Sequence, residues 1–135
     1  MIDTTRYCLA IHLPDTPDEV DPRVREALAA EGFGVLADID VRATLESKLG
    51  EDIGPYTILG ACNPTIGRDA IAADGDVGAL LPCNIVIRAG SEGGTDVLAA
   101  DPEQILSLSE APGMRDLALD VRQRLERILG QLQAG

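Results

Sequence analysis

Aromatic residues are almost absent from this chain: they make up 2% of its 135 residues, and tryptophan is missing altogether. A core without large rings has to be built from Leu, Ile, Val and Ala. Basic residues are outnumbered as well: 11 Lys and Arg, of which Lys48 is the only lysine, stand against 23 Asp and Glu. The formal net charge is therefore −12. This charge excludes the basic face with which proteins neutralise nucleic-acid phosphates. It also disfavours binding to an anionic membrane surface.

Other missing features narrow the class of protein further. No apolar run approaches the ~20 residues of a membrane span, and residues 1–6 lack the basic and apolar regions of a signal peptide. We therefore expect a cytoplasmic protein. Three cysteines, an odd number, disfavour a disulfide framework, so the thiols should be reduced. With 45% hydrophobic residues, residues 1–135 should form a single domain with a buried core.

Periodicity and capping residues predict the element order β-α-β-α-β-α-β-β-α-α. The predicted strands cover residues 6–13, 33–39, 56–62, 84–89 and 95–99. The predicted helices lie within residues 20–31, 41–49 (burying Leu45 and Leu49), 64–73, a segment capped by Asp101 and opened by Pro102, and the C-terminal segment. The Gly90–Gly94 hairpin makes at least part of the sheet antiparallel. We predict an α+β fold whose mainly antiparallel sheet of about five strands has helices on one face.

Two of the three cysteines lie at the ends of predicted strands, and each precedes an asparagine. Cys62 is followed by Asn63 and Pro64, a cap and first-position pair that begins a helix. The unpaired N–H groups of a helix start stabilise a nearby thiolate and lower its pKa from about 8.5. Cys83 and Asn84 begin the next strand along the chain. If these two strands are neighbours, the two sulfurs meet at one end of the sheet.

A thiol pair at this place has two interpretations. The sulfurs can cycle between dithiol and disulfide, or bind a soft metal such as Cu(I) or Zn(II), with Asn63 and Asn84 positioning the backbone. Alternatively, Cys62 and Cys83 are small apolar packing residues, and the asparagines serve only as cap and turn. A closed structural zinc site is disfavoured, because the sequence has no Cys-x-x-Cys and such sites usually use four Cys or His ligands.

Other polar residues give weaker signals. Arg68 follows the Asn63–Pro64 helix start by one turn and is the candidate partner for a small anion there, although an exposed helix residue is the simpler interpretation. His12 is the only histidine. It shares a strand face with Cys8 about 13 Å away, so the two cannot hold one ion. The acidic residues near turns, such as Asp15, Asp74 and Asp76, suit a hard cation, but capping and solubility are the simpler interpretation.

The C-terminal helix carries an apolar stripe, with two further leucines beside it. The stripe consists of Leu117, Val121, Leu125, Ile128 and Leu132, whereas Leu119 and Leu129 lie off it. With a single partner, such a helix would leave apolar surface exposed. We therefore predict a homodimer.

Several segments together resemble the domain of unknown function 302 family over residues 6–132. The most specific are Tyr56-Thr-Ile-Leu-Gly-Ala-Cys-Asn-Pro64 and Gly78-Ala-Leu-Leu-Pro-Cys-Asn84. Asp101-Pro102 and Gly32-Phe33-Gly34-Val35 add to them. The resemblance implies an α+β domain similar to one half of the TATA-binding-protein fold, often dimeric, and it implies no activity. Likeness to a DNA-binding fold transfers no function, and the charge of this chain opposes it.

The leading hypothesis is a thiol-based redox, soft-metal or small-ligand binding site at Cys62 and Cys83. The alternative is a non-catalytic homodimeric binding or assembly module whose cysteines are structural. The sequence names no substrate, and it does not decide whether the protein is an enzyme.

Overall fold

Six antiparallel strands form one sheet in the computed structural model, which describes residues 2–135. The strand order across the sheet is β1-β2-β6-β5-β4-β3. The strands are β1 (Asp3–Thr4), β2 (Cys8–Leu13), β3 (Gly34–Asp40), β4 (Tyr56–Cys62), β5 (Cys83–Ala89) and β6 (Thr95–Ala100). The predicted α+β class with a mainly antiparallel sheet is confirmed. Strand β1 was missed because two residues are too few to show alternation.

Four of the five helices begin after a capping side chain, whereas α5 follows Gly113, which supplies none. They are α1 (Pro17–Ala30), α2 (Val41–Leu49), α3 (Pro64–Ala73), α4 (Pro102–Ile105) and α5 (Met114–Ala134), with 3₁₀ turns at Val77–Leu80 and Leu106–Leu108. The side chains of Asp40 and Asn63 accept hydrogen bonds from early helix amides, as predicted. Asp101 caps α4 through the amide of Glu103.

The main core lies between one face of the sheet and the helices α1 and α5. In β2, alternation places Leu9, Ile11 and Leu13 in this core, as predicted. Tyr7 was expected to share that face, but it precedes the strand and is 61% exposed. The expected burial of Leu49 is also wrong: this side chain is 63% exposed, because α2 lies at the edge of the fold and buries no residue fully.

The C-terminal helix α5 buries more of its circumference than the predicted stripe. Leu129 is 1% exposed inside the monomer, so it does not contribute the free apolar surface from which a dimer was predicted. Of the two off-stripe leucines, only Leu119 reaches the surface, at 36% exposure. Met114 and Ala118 extend the helix into a second cluster with Ala70. The broader burial arises because α5 packs against both α1 and α3.

The other side of the sheet, which we call the open face, has no fully buried apolar row. Its central row runs directly across five strands, as Ala10, Leu98, Val86, Ile58 and Ile39. The first four are half-buried, and Ile39 is 47% exposed. In the part of the chain that the structure describes, no helix has the length and apolarity needed to cross a membrane.

Candidate functional site

A cavity of about 300 Å³ opens where the cysteine-bearing ends of β4 and β5 meet α3, α4 and α5. Its wall is mostly aliphatic. The lining residues are Phe33, Ala61, Cys62, Asn63, Ile66, Gly67, Ala70, Ala79, Leu80, Leu81, Pro82, Cys83, Asn84, Ala100, Pro102, Ile105, Leu106 and Val121. No lining residue carries a formal charge, and the only polar side chains are two thiols and two amides. Such a wall suits a neutral ligand with a large apolar part.

Strand pairing places the backbones of both cysteines at the same end of the sheet. Ala61 lies directly opposite Cys83 in the β4–β5 ladder, and Cys62 is the next residue along β4. Successive strand side chains point to opposite faces, so pairing alone does not bring Cys62 to the wall that Cys83 lines. Cys62 is the last residue of β4, its sulfur lies against Gly67 of α3, and both cysteines line the cavity. Cys8, the third free cysteine, lies on the open face of the sheet, where it pairs with Ala100.

The sulfur of Cys62 fits into a space that a glycine leaves in α3. A Cβ atom on Gly67 would lie 2.9 Å from this Sγ, too close for an ordinary contact. The thiol donates a weak hydrogen bond to the carbonyl of Asn63 at 3.6 Å. In the sequence Gly67 only weakens the helix, whereas in the structure it makes room for the thiol.

The start of α3 offers few free amides to a thiolate or an anion. Pro64 has no N–H, the N–H of Ile66 donates to Asn63 Oδ1 at 3.2 Å, and that of Gly67 donates to the Asn63 carbonyl at 2.8 Å. Arg68 lies outside the cavity wall and pairs with Asp69 at 3.2 Å. The structure therefore does not bring this arginine to the sulfurs.

Cys83 packs against the main core and donates to the Ala100 carbonyl at 3.7 Å. Burial raises the pKa of its thiol from 9.0 to about 12, and the negative charges of a Cys62 thiolate and of Asp101 add to the effect. Cys83 is therefore protonated at neutral pH. A region that resists a thiolate resists other anions for the same reason.

Behind this wall lies a buried ion pair that the sequence did not indicate. Asp101 is fully buried, accepts from the amide of Glu103, and pairs with Arg122 at 2.7 Å. Arg122 also contacts Glu126 at 3.2 Å. The pair joins the start of α4 to α5, and so fixes Pro102 against the cavity. The sequence identified Asp101 only as a helix cap, and nothing in it linked this carboxylate to an arginine 21 residues later.

Asn63 and Asn84 occupy different parts of the wall. Asn63 caps α3, whereas Asn84 is exposed at the start of β5 on the open-face side, opposite Gly60. A Cβ atom on Gly60 would lie 2.9 Å from Pro82 Cγ, so this glycine lets Pro82 pack onto the strand. Of the four polar side chains that line the cavity, Asn84 is thus the most exposed to solvent.

The remaining polar groups are engaged elsewhere. His12 Nδ1 is 2.7 Å from Asp96 Oδ1, and Asp96 also pairs with Arg88 at 3.3 Å. A second cleft at the opposite end of the sheet contains Asp21 and Asp40, but these carboxylates pair with Arg25 and cap α2. Within residues 2–135 no group of three or more His, Cys, Asp or Glu side chains is placed to hold a metal ion.

The chain is similar to a known family and to a solved structure. The profile of the family described as "Domain of unknown function DUF302" matches residues 9–132. The crystal structure of an uncharacterized conserved protein DUF302 from Bacillus stearothermophilus has a TM-score of 0.87 and 28% sequence identity, covering 95% of this chain and 99% of that one. No curated protein matches significantly. The chain therefore belongs to the family of the domain of unknown function DUF302.

Proposed function

We propose that this protein binds a small, neutral and largely apolar molecule in the cavity beside Cys62 and Cys83. The observation that carries the proposal is the composition of the wall, in which aliphatic side chains surround two thiols and two amides without a charged group. Apolar sites with a few convergent polar groups are typical of small-molecule binding. The two sulfurs supply polarisable contacts, and the amides orient a polar end of the ligand.

The volume limits the size of the ligand. At about 30 Å³ for each water molecule in the liquid, 300 Å³ corresponds to roughly ten water molecules. This volume is at the lower end of ligand sites. A molecule of about ten non-hydrogen atoms therefore fits, whereas a nucleotide or a peptide does not.

Charge limits its chemistry. The raised pKa of Cys83 reflects burial together with nearby negative groups, so an anionic ligand in the same place would be disfavoured. A cationic ligand would find no carboxylate among the residues that line the wall. The nearby carboxylate of Asp101 is already paired with Arg122. The proposal therefore commits to neutral compounds.

Paired probes of equal shape test this choice. Benzamide and benzoate have the same number of non-hydrogen atoms and differ in charge, and further amide–acid pairs of similar size extend the set. We expect the neutral member to raise the melting temperature and to shift NMR amide signals of the cavity wall, and the anion to do neither. Benzoate binding as tightly as benzamide, or shifts confined to other surfaces, would contradict the proposal.

A pair of variants locates the binding. Ala79→Leu places a larger side chain in the wall, whereas Ala72→Leu places the same side chain on an exposed part of α3 outside it. We expect the first to weaken benzamide binding and the second to leave it unchanged.

Cys62→Ala and Cys83→Ala then separate the roles of the thiols. If both variants bind benzamide normally and are only less stable, the cysteines are packing residues.

A second candidate is a soft-metal site on the same two sulfurs, favoured by their placement in one wall. Cu(I) accepts thiolate ligands, while Zn(II) usually requires more ligands than Cys62 and Cys83 provide. Metal binding has to displace the Cys83 proton, whose pKa is raised. A Cu(I) titration against a chromogenic chelator tests this candidate, with Cys62→Ser and Cys83→Ser compared with Cys8→Ser. Equal copper uptake by all three would eliminate it.

Thiol redox cycling is an alternative to ligand binding, while a cytoplasmic location and a homodimer stay predictions from the sequence. Disulfide exchange begins when a thiolate attacks a disulfide of a second molecule and displaces its other sulfur, and the raised pKa of Cys83 disfavours this residue as the attacking thiol. Three free cysteines suit a reducing compartment. Mass spectrometry of protein isolated under acid trapping tests the redox state. A Cys62–Cys83 disulfide in the isolated protein would favour cycling over ligand binding by free thiols.

A further inference from the structure

We propose that Cys62 and Cys83 together bind uncharged trivalent arsenic compounds that carry an apolar group, by forming two arsenic–sulfur bonds. This inference rests on the proposed ligand cavity and names a class of compound that its two thiols select. Both cysteines are free and line the cavity. Their backbones lie at the same end of the sheet, because Cys83 pairs with the residue that precedes Cys62. Thiols are soft ligands, so they favour a soft element over the hard cations that carboxylates bind.

The two sulfurs are near enough to influence each other. Burial is the main cause of the raised pKa of Cys83, and a negative charge on Cys62 is the next. The sulfur of Cys62 occupies the space that Gly67 leaves in α3. Each thiol makes only a weak hydrogen bond, at 3.6 Å to the Asn63 carbonyl and at 3.7 Å to the Ala100 carbonyl. Breaking these bonds costs little, so little opposes the turning of both sulfurs toward one atom in the cavity.

The uncharged wall favours this class over a metal cation. No lining residue carries a formal charge, and burial favours the protonated thiol of Cys83. Cu(I) held by two thiolates would leave a net negative charge in this apolar wall. An uncharged arsine oxide, R–As=O, instead condenses with two protonated thiols. Two As–S bonds form and two S–H bonds break, and the oxygen leaves with both protons as one water molecule. Arsenic stays trivalent, and neither sulfur is oxidised or reduced.

The aliphatic remainder of the cavity accounts for the apolar group. Phe33, Ile66 and Leu106 line the same cavity as the two thiols, and such side chains favour contact with an aromatic ring over contact with water. Phenylarsine oxide has about as many non-hydrogen atoms as benzamide, so it fits the volume of about 300 Å³. Arsenous acid lacks the ring. We therefore expect phenylarsine oxide to bind more tightly than arsenous acid, with the affinity of each compound taken relative to its affinity for dithiothreitol.

Mass spectrometry of the wild type tests the inference without any substitution. The chain is incubated with one equivalent of phenylarsine oxide and an excess of glutathione, a monothiol that removes arsenic held by a single sulfur. We expect an adduct whose mass is that of the chain plus the probe less one water molecule. Of the three free cysteines, only Cys8 should then be alkylated in the unfolded chain. The absence of an adduct, or an adduct that leaves two cysteines open to alkylation, overturns the inference.

Three variants assign the two bonds to their sulfurs. Cys62→Ser and Cys83→Ser, with folding checked by circular dichroism, should each bind phenylarsine oxide at least about 100-fold more weakly than the wild type, because the second bond to the same arsenic is intramolecular. Cys8→Ser is the matched control and should bind like the wild type. Equal binding by Cys62→Ser and the wild type contradicts the inference.

Benzamide separates this inference from the proposed cavity on which it rests. If benzamide binds and the two-sulfur adduct does not form, the arsenic inference fails while the proposed ligand cavity stands. If the adduct forms but benzamide neither binds nor slows its formation, the two thiols act as inferred and the proposed preference for neutral amides is wrong. We expect benzamide to bind and to slow formation of the adduct, since both compounds occupy the same cavity.

Discussion

Replacement of Cys83 by serine should change how the stability of the protein depends on alkaline pH. The pKa of this thiol is raised from 9.0 to about 12 in the folded protein. Because the unfolded state ionises first, the stabilisation is fully present below pH 9 and is lost as pH rises toward 12. At about 1.4 kcal/mol for each pKa unit, the complete loss is about 4 kcal/mol. By pH 10.5 about 2 kcal/mol of it should be gone.

Urea unfolding in the presence of a reductant measures this loss. The free energy of unfolding is compared between pH 7.5 and 10.5 for the wild type, Cys83→Ser and Cys8→Ser. We expect the wild type and Cys8→Ser to lose about 2 kcal/mol more than Cys83→Ser, whose hydroxyl does not titrate in this range. Few other groups ionise there, since the chain has two other thiols, one lysine and two tyrosines. Equal losses in all three proteins would refute the argument that the environment of the Cys83 thiol disfavours its ionised form.

Three further predictions concern residues that line the cavity or support its wall from behind. Arg122→Met leaves a buried carboxylate without its arginine, so urea unfolding should show a loss of about 3 kcal/mol, whereas Arg127→Met in an exposed pair should cost much less. Gly67→Ala should push the sulfur of Cys62 into the cavity and so weaken benzamide binding, measured by calorimetry. Gly78→Ala adds its methyl group in open space and should leave benzamide binding unchanged. Asn63→Ala removes the cap of α3 and should lower thermal stability by about 1 kcal/mol, whereas Asn63→Asp should retain most of it.

The fold could be predicted closely because its signals are local. Helices α2 and α3 have the predicted bounds, since Asp40 and Asn63 are caps that each act on the amide three residues away. The hairpin between β5 and β6 follows from the glycines around residue 92. Where the prediction failed, a tertiary contact determined which side chains are buried. The burial of Leu129 depends on the main core formed with α1 and the sheet, which the periodicity of α5 alone does not show.

The candidate site could be predicted only in part, because a cavity has no local signal. Both cysteines line one wall, and their position at strand ends was visible in the sequence. The aliphatic remainder of the wall comes from segments spread between residues 33 and 121, and no spacing rule joins them. The buried pair of Asp101 and Arg122 was hidden because each residue has a simpler role, one as a helix cap and the other as a surface arginine.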